Sequence, residues 1–584
     1  MKSFFKNVLA NILAIIIIGV AFLFFFIIMI AFGSMSNEKS VLVKKNSILT
    51  INLTTQIIDS PTEEEVDLFE MGSKTTNVLI YDAVEAIRKA KNDENIKGIS
   101  IEVDNMNAGI TQIDDIRSAI EDFKKSGKFV YSYGNIVSQA SYYLGSVADQ
   151  YYLNPAGGIE LKGLSTEVVY FKDFADKYGI GVEVIRHGKF KSAVEPYLRN
   201  DISPENKEQL STLLNDLWGN TSTSIAKSRK IEASEFKTVV DSLYGMIPDL
   251  SLKYKLTDKL IQKSEYDQIL KSKISVKAKD PINKISLHKY IDSYTHKNTS
   301  EEKIAVLYAS GAINSGDKYS EIYSEKYIKY INDLQKDEKV KAVVLRINSP
   351  GGSANASDEI LFELQQLKKN KPLVVSFGDY AASGGYYIAM AADKIYSEPN
   401  TITGSIGVFG VMPYFKDIAN KNGVRSDVVS TNANSAFYSP LQGVSPYGVN
   451  LMTRSVESTY KRFVHFVTQN RKKTFEEIDN VGGGRVWSGT RAKQIGLVDE
   501  LGSIEDAVKF AAQKAGLTSY SVNSYPKKMS TFEQLFQDFN EDAISTRIIK
   551  NKIGKANYEV LEQITDEKLK SEVKMVMPFQ ININ

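Results

Sequence analysis

Residues 338–379 read EKVKAVVLRINSPGGSANASDEILFELQQLKKNKPLVVSFGD. The stretch opens on a β-branched apolar run, Val343 to Ile347, and turns through Ser349-Pro350-Gly351-Gly352. It then sets Ile360, Leu364 and Leu367 at helical spacing and closes on a second apolar run, Leu373 to Phe377. Those periodicities predict strand, turn, amphipathic helix, strand. Residues 94–135, ENIKGISIEVDNMNAGITQIDDIRSAIEDFKKSGKFVYSYGN, follow the same plan, with Ile99 to Val103, then Ile116, Ile120 and Phe123, then Phe129 to Tyr133. The two stretches align without a gap, 244 positions apart (338 − 94 = 244).

The register continues beyond them. Tyr386-Tyr387 falls on Tyr142-Tyr143, Asp393 on Asp149, Pro399 on Pro155 and Gly407 on Gly163, and LVDELG from Leu497 echoes LTDKLI from Leu256. So long a period fits two copies of one domain rather than a solenoid. Strands alternating with amphipathic helices predict an α/β fold. The repeats are expected at residues 46–262 and 303–525, with a polar, lysine-rich linker at 263–302 and a helical, charged tail at 526–584.

The start of the chain differs in kind. No charge occurs from Val8 to Phe32, enough apolar length for a membrane-spanning helix of about 20 residues. An anchor at residues 8–33 is therefore expected. A cleavable signal peptide is the alternative, but its apolar core is only about 7–15 residues long. Lys2 and Lys6 precede the run and Glu38 and Lys39 follow it, which puts residues 1–7 in the cytoplasm. The rest then lies outside the cytoplasmic membrane, in the periplasm of a Gram-negative cell. A net charge of only +2 gives no reason to expect nucleic acid. With no cysteine, disulfides and thiolate chemistry are excluded, and His187, His288, His296 and His465 lack metal-ligand spacing. Neither a metal nor a cofactor is expected.

The copies differ where chemistry would sit. DYAASGGYY, residues 379–387, holds Ser383 where the first copy has Gln139, and Ser349-Pro350-Gly351-Gly352 faces Asn105-Met106-Asn107-Ala108. Conversely, aligning Ser192-Ala193 with Ser435-Ala436 sets Lys191 opposite Asn434. One copy carries a lysine and the other a serine, the pattern a composite site would leave. A serine hydroxyl needs a base to become a nucleophile, and a buried lysine loses its proton readily enough to serve. Acyl transfer also needs N–H donors for the oxyanion. Gly351 or Gly352, and Gly384 beside the serine, are the candidates. On residues alone, Ser383 is also readable as a small residue for close helix packing, and Lys189 competes with Lys191 as the base.

KSAVEPY, INSPGG, YAASGGYY, TGSIGVFG and GRVWSGTRAKQIGLVDELG together resemble the signal peptide peptidase A (protease IV) family in its long, duplicated bacterial form. The resemblance implies a tandem crotonase/Clp-protease-like fold and a serine–lysine dyad, with Ser383 as nucleophile and Lys191 as general base. It also implies an oxyanion hole at Gly351 or Gly352 with Gly384, and a lysine-orienting hydroxyl at Ser405. The implied enzyme is a membrane-anchored serine endopeptidase, assembled as a homotetramer, that degrades cleaved signal peptides and other extended apolar peptides. A groove lined by Tyr386 and Tyr387 is expected for them. The alternatives are a crotonase-like acyl-CoA enzyme, which the anchor disfavours, and a catalytically inactive membrane scaffold. His187 as a triad member has no motif behind it, and Gly482-Gly483-Gly484-Arg485 reads as a turn.

Overall fold

The β-branched run of the quoted stretch becomes the strand Val340–Ser349, and nearly all of it is buried. A parallel strand covered on both faces requires such a continuous apolar run. The following helix, Ala354–Lys368, starts from Ser353, whose hydroxyl accepts from the Ala356 N–H at 3.3 Å. Its Ile360, Leu364 and Leu367 are buried against the strands. The counterpart helix, Ile110–Lys124, begins 244 residues earlier (354 − 110 = 244). The computed structural model describes residues 6, 13–19, 21–22, 41–52, 55–61, 76–294, 300–318, 321–527 and 574–577.

Each copy builds a sheet in the same order. In the second, Glu500–Leu501, Lys394–Ser397, Leu373–Ala382, Val340–Ser349, Lys303–Ser310 and Ser521–Tyr525 are neighbours. In the first, the order is Lys259–Leu260, Gln150–Ile159, Phe129–Val137, Ile96–Glu102, Ser47–Asn52 and Lys284–Ser286, all parallel. Parallel neighbours need crossovers, which the helices supply. The edge strand Lys284–Ser286 corrects one expectation. It lies within 263–302, read from sequence as a linker, together with the helices Lys263–Lys273 and Leu287–Asp292. Ser521–Tyr525 holds the same edge position in the second copy, so the first copy extends through the supposed linker.

Duplication also shows in two helices of 26 residues, Pro204–Arg229 and Pro446–Arg471. Each has proline in its first turn and a serine cap, Ser203 or Ser445, and each ends on a left-handed lysine. Among the described residues no helix is long and apolar enough to cross a membrane, and the expected anchor at 8–33 lies mostly outside them. So does the expected helical tail, but its described part, Lys574–Val576, is a strand.

A third sheet ties the copies together. Gly181–His187 of the first pairs antiparallel with Val408–Tyr414 of the second, Val408 opposite His187 and Tyr414 opposite Gly181. Nearby, Asp216 on the first copy's long helix accepts from Arg491 at 2.8 Å and from Ser488 Oγ at 2.9 Å. A buried polar cluster also crosses between the copies. Arg346 donates to Asp59 at 2.9 Å and stands 3.7 Å from Asp115, all three nearly inaccessible. Thr111 donates to Asp379 through its N–H and its hydroxyl, each at 2.9 Å.

Removing one partner of a buried ion pair leaves an uncompensated charge, at a cost of about 3–5 kcal/mol. Arg346→Met is therefore expected to destabilise the fold by about that much, read from the shift in urea unfolding. The penalty should be smaller at pH 5 than at pH 8. Burial lifts the Asp115 carboxyl to about 6 while Arg346 pulls it down. A raised folded-state value means stability present in acid and lost as pH rises through it. Without Arg346 that loss grows.

Candidate active site

Ser383 sits where the strand Leu373–Ala382 passes into the short helix Gly384–Ile388. Its backbone has φ 53° and ψ −114°, a conformation that costs an L-residue energy and persists only when its surroundings enforce it. Two hydrogen bonds do so. The Ser383 N–H donates to Gly404 O at 2.9 Å, and the Tyr387 N–H to Ser383 O at 2.8 Å. The Gly351-Gly352 turn lies against this corner. A Cβ on Gly384 would stand 3.2 Å from both Gly351 Cα and Gly352 N. Gly351 has φ +102°, and a Cβ there would stand 2.7 Å from Gly384 N and 3.0 Å from Ser383 Cβ. Only glycine permits both that dihedral and that approach. The Gly351 N–H is engaged by Ser349 Oγ at 3.2 Å.

Lys191 arrives from the other copy, just past the strand Gly181–His187. Its side chain is fully buried. Nζ lies 2.9 Å from Ser383 Oγ, 2.8 Å from Ser405 Oγ and 3.3 Å from Ser405 O. Burial pushes its amine well below the ordinary lysine range, because low dielectric penalises the charged form. Hydroxyl and carbonyl oxygens solvate a neutral amine without restoring a full counter-charge. Ser405, at φ +50°, is fixed by its N–H donating to Arg485 O at 2.7 Å. The arrangement is a base within hydrogen-bond reach of a hydroxyl, with backbone amides alongside, as proton abstraction and acyl transfer require.

The two candidate bases part company here. Lys189 is exposed, above the Phe190 ring, while Lys191 is buried. The Tyr386–Tyr387 groove is corrected. Both rings are buried in the core, Tyr386 donating to Leu497 O at 2.7 Å and Tyr387 to Asp358 at 2.6 Å. They face the interior because the helix after Ser383 packs on its sheet. His187 pairs with Glu457 at 2.7 Å and stacks on Tyr460. Among the described residues no cluster of three or more metal-ligating side chains occurs.

Sequence reasoning missed several supporting residues. Gln209, buried on the long helix of the first copy, donates to Phe190 O at 3.0 Å and Ser192 Oγ at 2.9 Å, on either side of Lys191. Its carbonyl oxygen accepts from the Val486 N–H of the second copy at 3.4 Å. No motif marks a glutamine 18 positions from the lysine (209 − 191 = 18). Gly484, read only as part of a turn, lets that backbone lie against Lys191. A Cβ on it would stand 2.6 Å from Lys191 N. Arg186 donates to Lys191 O at 3.3 Å.

Comparison with known proteins agrees with this architecture. The pattern of Peptidase family S49 matches twice, at residues 122–276 and 365–518, and that of Clp protease at 295–403. Protease 4 of Salmonella typhi is 37% identical over 467 residues, covering 78% of this chain and 75% of that protein. Protease 4 of Haemophilus influenzae is 34% identical over 562 residues, covering 92% and 90%. The chloroplastic serine protease SPPA of Arabidopsis thaliana is 31% identical over 493 residues, covering 81% and 70%. The matches span both copies and most of each relative. The chain therefore belongs to peptidase family S49 and is a serine peptidase built from two Clp-protease-like α/β repeats.

Proposed function

We propose that this peptidase works through a Ser383–Lys191 dyad. It cleaves extended apolar peptides, chiefly signal peptides already released from secreted precursors, at the outer face of the cytoplasmic membrane. The observation that carries the reading is the fully buried Lys191 amine, 2.9 Å from Ser383 Oγ. Neutral Lys191 takes the hydroxyl proton as Ser383 Oγ attacks the peptide carbonyl. The oxyanion is received by the N–H groups of Gly384 and Gly352, since Gly351 is engaged by Ser349. Lys191 then passes the proton to the leaving amine. In the second half it takes a proton from water, which releases the acyl group from Ser383. Ser405 orients the amine through its hydroxyl and carbonyl.

Residues 8–33 anchor the enzyme in the bilayer, and four copies assemble into a homotetramer. Tethering brings the active site to apolar peptides where they are released. The anchor argues against acyl-CoA chemistry, which is cytoplasmic.

Ser383→Ala and Lys191→Ala are each expected to lower kcat/KM for an apolar fluorogenic peptide by at least about 10³-fold. Unchanged hydrolysis in either variant would overturn the dyad. Ser405→Ala should lose about tenfold, the worth of one positioning hydrogen bond.

The pH profile supplies a second test. Only neutral Lys191 accepts a proton, so kcat/KM should fall as pH drops through the value of that amine. Burial sets the inflection below that of an ordinary lysine. Lys191→Arg, which cannot deprotonate, should be inactive at every pH.

A further inference from the structure

The groove beside Ser383 already holds a strand. In the third sheet the order runs Ile322–Tyr323, Ile313–Asn314, Gly351–Ser353, Lys574–Val576, Val408–Tyr414, Gly181–His187. Among the described residues, this short segment from the far end of the chain is thus the only strand linking Gly351–Ser353 and Val408–Tyr414. Without it those two strands present facing edges, the arrangement that accepts an extended peptide by strand addition.

It pairs through its backbone, as an added strand does. Val576 stands opposite Gly351, Met575 opposite Gly352 and Lys574 opposite Ser353, antiparallel, and Lys574 also pairs with Phe409. The Met577 N–H donates to Pro350 O at 2.7 Å. A Cβ on Gly351 would stand 2.0 Å from Met575 O, 2.7 Å from Gly384 N and 3.0 Å from Ser383 Cβ. The Met575 carbonyl therefore lies over the corner that carries the nucleophile and its amides.

The side chains add a pattern. A strand sends alternate residues to one face, and Met575 and Met577 are both buried. Met577 packs among Leu213 and Leu217 of the first copy and Ala382, Ile402 and Val486 of the second. Met575 joins the main core of the second copy. Both pockets accept long, unbranched apolar side chains, for which methionine's flexibility suits it.

We propose that Lys574–Met577 is a tethered competitor. It occupies the substrate groove in a substrate's register, and it displays the preference of that groove for apolar residues two positions apart. The proposal rests on the reading of Ser383 and Lys191 as the dyad. A tethered ligand acts at an effective concentration in the millimolar range, so only a minor fraction of chains has an open groove, and apparent substrate affinity falls by that fraction.

The test compares the full chain with the full chain carrying Met575→Asp and Met577→Asp, and with a chain ending at Glu572. Both altered chains are expected to show about tenfold higher kcat/KM on an apolar fluorogenic peptide, through lower KM at unchanged kcat. The synthetic peptide of residues 572–579, EVKMVMPF, should inhibit them competitively, and its Met577→Asp version should do so at least about tenfold more weakly. Rates no higher than those of the full chain, with no inhibition by the peptide, would overturn the proposal. Binding of the labelled peptide to the doubly substituted chain that also carries Ser383→Ala, read by fluorescence anisotropy, separates the two readings. Saturable binding there supports the docked segment even if Ser383 proves not to be the nucleophile, and absence of binding counts against it even if Ser383 does.

Discussion

The constraint on which the rest of this structure depends is the burial of one amine. Lysine accepts a proton only when it lacks one, and water keeps it charged far above neutral pH. Lys191 is removed from water altogether, and its partners are the oxygens of Ser383 and Ser405. Surroundings rigid enough to exclude water and deliver a hydroxyl within 2.9 Å are beyond one loop. They come from two domains clasped edge to edge, with the Lys191 backbone fixed by Arg186 and its neighbours by Gln209.

Duplication made that clasp available, and the two copies then diverged. Ser383 and Gln139 occupy equivalent places. In the first copy the Gln139 carboxamide oxygen accepts from the N–H groups of Lys162 and Gly163, and its NH₂ donates to Gly163 O. The side chain fills and locks the equivalent corner with local hydrogen bonds. In the second copy the same corner stays small and strained around Ser383. One copy retains the loop that carries the amine, the other the glycine turn and the serine, and the shared antiparallel sheet holds them in register.

The interface is also where the chain spends stability. Asp59, Asp114, Asp115, Asp379 and Glu398 gather around Arg346 and Asn400, across both copies. Burial holds Asp114 up near 7 and Asp115 near 6. A purely apolar interface would cost less to bury, but it would tolerate sliding of one copy on the other. Directional hydrogen bonds such as Thr111 to Asp379, four residues before Ser383, admit one alignment. That alignment holds Lys191 Nζ within 2.9 Å of Ser383 Oγ.

What the sequence determined by itself is what local periodicity encodes. The two repeats, their strands and helices and the Ser383 corner with its glycine turn were legible, because a 2.0 or 3.6 period and a 244-residue echo survive in the linear order. The KSAVEPY resemblance already favoured Lys191 over Lys189, two residues apart and alike in chemistry, and the tertiary structure supplied the physical difference between them. Only packing buries one, against Gly484 and the hydroxyl of a residue 192 positions away. It turned Tyr386 and Tyr387 into the core, drew Lys284–Ser286 out of an apparent linker into a sheet edge, and seated Lys574–Val576 between two strands. Short edge strands carry too few residues for a periodic signal, and contacts between distant segments leave no spacing to read. They follow from how the two copies close on each other, which a linear pattern does not record.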